Sequence, residues 1–277
     1  MLNARPFIRD WSHTPLHWVP DDILATHVLN VLHLVLPSGE LWMCRTFNKA
    51  LPLIRDEQLK QDVQGMVRQE GAHASSHRAV LGWYERNGFD FSLSHRRLEH
   101  IFTVLLSDRP LGCLTLRGKW IQRWLLLRLG VVAAIEHLTC ALGSWAFYNE
   151  TLEKDGADSG MVELIKWHGA EEIEHRCVAL ELYRHLGGGY CQRTILFLLV
   201  FGAMVLTWMR GARAFLRQDA AALPCYGLRG YRESARRGHL PSVSFILRAC
   251  MRYFRPGFHP ESEASTQDAQ SYLARFE

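Results

Sequence analysis

The sequence predicts an all-α protein, and three observations lead there. Strand patterns are scarce, while long stretches of helix formers carry apolar residues three or four positions apart. Glu136 is the only acidic residue between Asp108 and Glu150, inside an apolar run from Leu129 to Leu142. A lone carboxylate there is costly to bury, so it must be exposed, protonated, paired or bound to a cation. The third observation supplies its company: Glu40 stands alone, while Glu70 with His73 and Glu172 with His175 form two Glu-x-x-His pairs. Two lone glutamates and two such pairs on four helices are the inward-facing donor set of ferritin-like di-metal bundles. The predicted architecture is a ferritin-like four-helix bundle with additional N- and C-terminal helices.

Taken in order, Asp21 and Asp22 can cap a first helix running toward Leu36. Pro37-Ser38-Gly39 then interrupts or kinks it, and Ser38 can cap a new segment carrying Glu40. A helix over 56–86 carries Glu70, His73 and His77 and stops at Asn87-Gly88. Residues 88–118 read as short elements and a crossover. A helix over 119–152 carries Glu136, 154–160 is a turn, and a helix over 161–186 carries His168, Glu172 and His175 before Gly187-Gly188-Gly189. An apolar helix at 195–216, a basic connector and a helix near 241–254 follow. The polar stretch from Glu261 reads as a frayed tail. One domain over 1–277 accounts for all of this: a metal-binding bundle at about 21–188, a helical extension at about 190–260, and the tail 261–277.

Spacing supports that layout. Glu40 and Glu70 are 30 residues apart and Glu136 and Glu172 are 36 apart, each suiting two antiparallel helices joined by a short turn. The middle gap of 66 leaves room for a long crossover.

Bulk properties narrow the function classes. The chain has 277 residues, 48% hydrophobic and 22% charged, with a formal charge of +4. That charge is too mild to imply nucleic acid, although arginines concentrate between Arg210 and Arg255. They form a solvated basic face, or one that favours anionic lipid or an acidic partner. Seven cysteines with no Cys-x-x-Cys pair read as reduced, mostly buried thiols. With no apolar signal core near the N-terminus, the expected location is cytoplasmic. Ile195 to Met209 is uninterrupted by charge but shorter than the roughly 18–20 residues that cross a bilayer. It reads first as a buried core helix. A helix lying on a membrane or lining a channel for a greasy substrate is the alternative.

Helical geometry groups the candidate metal ligands. Positions i and i+3 share a face, so Glu70 and His73 can grip one ion together, and His168, Glu172 and His175 form a stripe at i, i+4 and i+7. Four carboxylates from Glu40, Glu70, Glu136 and Glu172 would balance two divalent cations. Mixed oxygen and nitrogen donors suit iron first, with manganese or zinc possible. The blander reading makes Glu171, Glu172 and Glu174 a solvated charge run. Glu171 and Glu174 lie off the stripe and are expected behind the ligands or in solvent. His77 continues the Glu70–His73 stripe and stays open between a seventh ligand, a proton shuttle and a donor to a ligand. His137 points away from Glu136 and reads as structural. His13, His17, His27 and His33 have no partner spacing and read as surface or core histidines.

Several segments together resemble the bacterial "predicted metal-dependent hydrolase" family over most of the chain. They are Pro37-Ser38-Gly39-Glu40, Gln69-Glu70-Gly71-Ala72-His73, Glu136-His137-Leu138-Thr139, Trp167-His168 through Glu171-Glu172-Ile173-Glu174-His175, and Arg255-Pro256-Gly257-Phe258-His259-Pro260. The ligand order is also similar to that of the di-iron arylamine N-oxygenases: a lone Glu, Glu-x-x-His, a lone Glu, then His-x-x-x-Glu-x-x-His. That resemblance matches Glu40, Glu70 and His73, Glu136, and His168, Glu172 and His175, and it fits His168 better than His77 as the extra histidine.

The leading functional expectation is a non-haem di-iron oxidase or oxygenase using O2 and an external reductant on a small organic substrate, with a hydrophobic one among the options. The alternative is a two-metal hydrolase of an ester or amide, and a second alternative is a non-catalytic metal-binding bundle. Trp120, Trp124, Trp145 and Trp208 could wall a hydrophobic pocket beside 195–209. The expected partner is that substrate, with no nucleic acid; peripheral membrane contact and a homodimer stay open.

Overall fold

The computed structural model describes residues 2–222 and 227–276, and among them every regular element is helical. In chain order the helices are α1 (Ile23–Ala50), α2 (Glu57–Arg86), α3 (Ser92–Glu99), α4 (Lys119–Tyr148), α5 (Thr151–Lys154), α6 (Ser159–His175), α7 (Val178–His185), α8 (Tyr190–Leu216), α9 (Leu228–Arg237), α10 (Val243–Tyr253) and α11 (Thr266–Leu273). Caps explain several boundaries. The Asp22, Asp56 and Asp158 carboxylates accept the backbone N–H of Ala25, Leu59 and Met161 at 2.9, 2.9 and 3.0 Å. Past α2, Gly88 takes the left-handed turn (φ 93°) that ends it.

Four long helices pack in the order α1, α2, α6, α4 and back to α1. Their directions follow from side-chain pairings. Across α1 and α2, Asn30 meets Tyr84, His33 meets His77 and Cys44 meets Val67, so the two run antiparallel. His77 with His168 and His73 with Glu171 make α2 and α6 antiparallel, and Thr139 with Glu172 places α4 and α6 likewise, with Gly143 and Gly169 in backbone contact. Apolar side chains separate into two cores. One, around Trp18, Leu34, Trp83, Tyr84 and Trp167, lies toward one end of the four helices. The other, around Trp42, Phe47, Met66, Leu129 and Tyr183, lies toward the opposite end. Between them sit buried Glu40, Glu70, His73, Glu136, His168, Glu172 and His175.

Several elements differ from the sequence reading. Pro37 does not interrupt α1, which continues as one helix to Ala50, and Ser38 caps nothing. Leu36, Pro37, Glu40, Trp42 and Met43 are all buried, so tertiary burial outweighs the one lost backbone hydrogen bond. The helix expected over 161–186 is two, broken just after His175, where the Arg176 guanidinium donates to the Ile173 carbonyl. The same side chain donates to Pro260 O at 3.0 Å and Thr266 Oγ1 at 2.9 Å. That clamp orders the stretch read as a frayed tail: α11 buries Ala269 and Leu273 against α6. The basic connector contains a further helix, α9, rich in arginine, with only Leu228, Tyr231 and Ala235 as apolar residues at helical spacing.

The segment read as a short buried helix lies within 27-residue α8. Two stretches, Lys119–Lys154 and Tyr190–Leu216, are long and apolar enough to cross a membrane by length and composition, but the first is 72% buried and the second only 28%. α8 is therefore no core helix. It buries Leu196, Phe197, Val200 and Phe215 and leaves a stripe of Ile195, Leu198, Leu199, Val205, Leu206 and Met209 exposed. Among the described residues, Cys44, Cys140 and Cys250 are buried, Cys177 is half-buried, and Cys113 and Cys191 are exposed, all as free thiols; Cys225 lies outside the described residues.

Candidate metal centre

The seven side chains singled out by spacing converge from α1, α2, α4 and α6. They fall into two adjoining groups, Glu40 with His73 and His168, and Glu70 with Glu136, Glu172 and His175. Within each group the donor atoms lie within 4.8 Å of one another. The groups touch: His73 Nδ1 is 3.8 Å from Glu70 Oε2, and His168 Nε2 is 3.2 Å from Glu172 Oε1. His175 Nε2 faces Glu70, Glu136 and Glu172 at 3.2, 3.3 and 3.5 Å.

Each histidine is held from behind. His73 Nε2 donates to Glu171 Oε2 at 2.9 Å, leaving Nδ1 aimed at the carboxylates. His175 Nδ1 donates to Gln69 Oε1 at 3.1 Å, leaving Nε2 aimed inward. His168 Nδ1 meets His77 Nε2 at 3.1 Å, and His77 Nδ1 meets His33 Nδ1 at 2.8 Å. An outer layer braces these partners. Gln69 Nε2 donates to Glu174 Oε2 at 2.7 Å, and Arg5 reaches Glu174 at 3.0 Å and Glu171 at 3.4 Å. Thr139 Oγ1 donates to Glu172 Oε2 at 2.7 Å. Such outer hydrogen bonds fix the tautomer and ring orientation of a metal-binding imidazole.

The inward atoms lack what buried polar atoms normally have. Both carboxylate oxygens of Glu40, Glu70 and Glu136, together with His73 Nδ1 and His175 Nε2, are buried with no hydrogen-bond partner. Burial and the nearby Glu70 carboxylate push Glu40 well above the usual carboxylate range. Burial and the Glu172 and Glu70 carboxylates push Glu136 up to about 8. Burial also acts against charge on Glu172, but the His175 and His168 imidazoles outweigh it and hold Glu172 well below its ordinary value. Conversely, burial opposes charge on His175 and His73. The Glu172 and Glu136 carboxylates overcome it at His175, and the hydrogen bond to Glu171 with the nearby Glu70 carboxylate overcomes it at His73. His168 and His77 are pushed down by burial and neighbouring imidazoles, and His33 falls to about 3 by burial and His168. Carboxylates this crowded must share protons or surround cations. The donor set therefore fits divalent metal ions, with the hydrogen-bonded partners behind it already in place.

Other residues resolve differently. His77 lies outside both donor groups and stands between His33 and His168. His33, read as a surface or core histidine, is buried in this row. His137 donates from Nε2 to Ala249 O at 2.9 Å and packs its ring, tilted, against Tyr253. Glu171 and Glu174 are neither a charge run nor solvated; they brace His73 and Gln69. His17, His27 and Asp219 also cluster. However, Trp18 donates to Asn30 Oδ1, so the Asn30 amide must donate to His27 Nδ1, and His27 Nε2–H then donates to Asp219 at 2.7 Å. That cluster is satisfied by its own protons. Gln69 and Arg5 were missed: Gln69 sits beside Glu70 without a spacing signal, and Arg5 lies 166 residues from Glu171.

A cavity of about 530 Å³ runs from α8, α9 and α10 down to the centre, with Thr139, His168 and His77 at its inner end and Leu29, Trp145 and Trp208 along its walls. Trp124 instead donates to Ser107 O, and Trp120 is 55% exposed.

No curated protein and no solved structure matches this chain significantly. A family model does: the chain matches it over residues 3–264, and it belongs to the predicted metal-dependent hydrolase family.

Proposed function

We propose that this chain is a two-metal hydrolase built on a ferritin-like four-helix bundle, acting on an ester or amide. One observation carries the reading: seven buried donors from four helices form two touching groups, and the inward atoms of five of them, Glu40, Glu70, His73, Glu136 and His175, have no hydrogen-bond partner. The antiparallel pairs α1/α2 and α4/α6, joined by a long crossover, support the ferritin-like reading of the bundle. Glu40, His73 and His168 would hold one ion, and Glu70, Glu136, Glu172 and His175 the other. Ions so held supply Lewis acidity, polarising a carbonyl and lowering the pKa of water.

The chain's own residues do the rest. Glu171, Gln69 and His77 hold the three imidazoles in position, and Thr139 fixes one oxygen of Glu172. The apolar cavity seats the non-reacting part of a substrate and limits water near His168. Hydrolysis, not oxidation, is the primary reading because the family bears that name. A donor set this rich in carboxylate favours a second reading, O2-dependent oxidation at iron, for which an external reductant is needed.

Metal analysis followed by anaerobic assay separates these. Protein loaded with zinc, manganese or iron is expected to bind two ions per chain and to cleave activated esters without O2. Cleavage absent under all three metals, with a transient visible absorption after O2 meets the Fe(II) form, would transfer the assignment to oxidation. Failure to retain any divalent ion would sink both.

A further inference from the structure

We propose that the face made by α8, α9 and α10 docks on an anionic lipid bilayer, and that the cavity beneath it draws a lipophilic substrate from that bilayer toward the metal centre. The docking half stands on geometry alone; the substrate half rests on the reading that the centre is catalytic.

The apolar component is continuous. On α8, Ile195, Leu198, Leu199, Val205, Leu206 and Met209 recur at helical spacing and are 43–65% exposed. α10 lies beside this helix, with Tyr253 and Phe254 packed on Phe197, and exposes Val243, Leu247 and Met251. α8 cannot leave the protein to cross a bilayer on its own. Its other face is packed, and buried Arg193 binds the carbonyls of Tyr253 and Arg255 at 3.0 and 2.8 Å. A helix fixed along one side and apolar along the other lies in the plane of an interface.

Charge selects the occupant. From residue 190 to 260 the sequence has eleven arginines and two carboxylates, Asp219 and Glu233, whereas the whole chain has a net charge of only +4. Asp219 is engaged by His17 and His27, and Glu233 by Arg236 and Arg237. Arg210, Arg213, Arg217, Arg229, Arg232 and Arg248 are exposed around the apolar stripe. Two copies apposed through this face would bring like charges together, while an anionic headgroup layer would neutralise them.

The cavity ties the face to the chemistry. Val205, Met209, Leu228, Val243 and Leu247 are exposed on this face and also line the cavity whose inner end is formed by Thr139, His168 and His77. Arg213 stands among the lining residues, where it can hold an acidic or phosphate headgroup. The substrate class is therefore a molecule with a long apolar body that partitions into lipid.

Co-sedimentation with vesicles tests the docking. The full chain is expected to bind vesicles of phosphatidylcholine mixed with phosphatidylglycerol, with binding weakened by salt, and to leave vesicles of phosphatidylcholine alone in the supernatant. Leu198→Glu with Leu199→Glu, both exposed positions, should weaken binding by about tenfold or more. Binding should persist in metal-stripped protein, so a failure of the metal assignment leaves this result standing. No excess binding to anionic vesicles would overturn the proposal, as would a solution dimer that these substitutions dissociate. For the cavity, a fluorescent fatty-acid analogue should bind the wild type and lose affinity in Met204→Trp, a lining position off the exposed stripe, whose bulk fills the cavity while vesicle binding is kept. Unchanged affinity in that variant would refute the channel.

Discussion

Glu136 enters the centre from the most apolar part of α4, where burial and two neighbouring carboxylates push it up to about 8. It contributes no hydrogen bond from either oxygen, so its removal costs little packing. Glu136→Ala is expected to lose bound metal while keeping its helical circular dichroism; full metal stoichiometry in that variant would contradict the assignment. This residue was conspicuous in the sequence because a lone acid in an apolar run has few inexpensive explanations. The pairs Glu70–His73 and His168–Glu172–His175 were legible for another reason: helical periodicity places them on common faces. Residues that brace them were not. The sequence puts Glu171 behind the ligands or in solvent, with no local signal to decide between the two, and Arg5 depends on a contact between chain segments that share no local pattern.

At the scale of helices, α4 and α6 approach through glycines. A Cβ on Gly169 would lie 2.4 Å from the Gly143 carbonyl oxygen, a backbone atom that cannot rotate away, and one on Gly143 would lie 3.2 Å from Glu172 Cβ. Gly169→Ala is expected to destabilise by about 1–3 kcal/mol despite its better helix propensity, because it separates the two helices that carry Glu136, Glu172 and His175. Gly71→Ala on α2 meets nothing within 4 Å and should stabilise by roughly 0.5–1 kcal/mol. Thermal unfolding and metal titration of the two variants side by side check this; equal behaviour would discount the close approach. The long helices were readable from caps and periodicity. Pro37 misled because a proline's local cost is visible in sequence and the packing that offsets it is not. α9 and the last helix were hidden for the converse reason: their own residues are polar, and they are ordered by partners such as Arg176.

For the molecule as a whole, the centre sets an unusual pH response. In metal-free protein, Glu40, Glu136, His73 and His175 are held above their ordinary values, so the folded state keeps protons that the unfolded chain has released. Stability from these groups falls as pH rises, and above the ordinary histidine value of 6.5 up to about 8 they act with little opposition. Below 6.5 the neutral, buried His33, His77, His137 and His168 must gain charge, and stability falls again as pH drops toward their folded values of about 3 for His33 and about 4 for His137. The melting temperature of metal-free protein should thus peak near pH 6.5 and decline by pH 8, each proton changing the slope by about 1 kcal/mol per pH unit. A divalent ion should flatten the alkaline side, since it replaces the protons. A melting temperature that climbs steadily from pH 6.5 to 8 without metal would contradict the charge arrangement.

The outermost brace of the imidazoles begins at the fifth residue, and the segment after α10 is fastened beneath His175 by Arg176. Neither extremity is therefore an ornament that can be trimmed without effect. Shortening the start by a handful of residues would leave every long helix intact yet loosen the rings it steadies from a distance. Clipping the finish would unfasten the support at the place where α6 bends. Any shortened version of this chain should keep Arg5 and the stretch that Arg176 fastens, from Pro260 to Thr266.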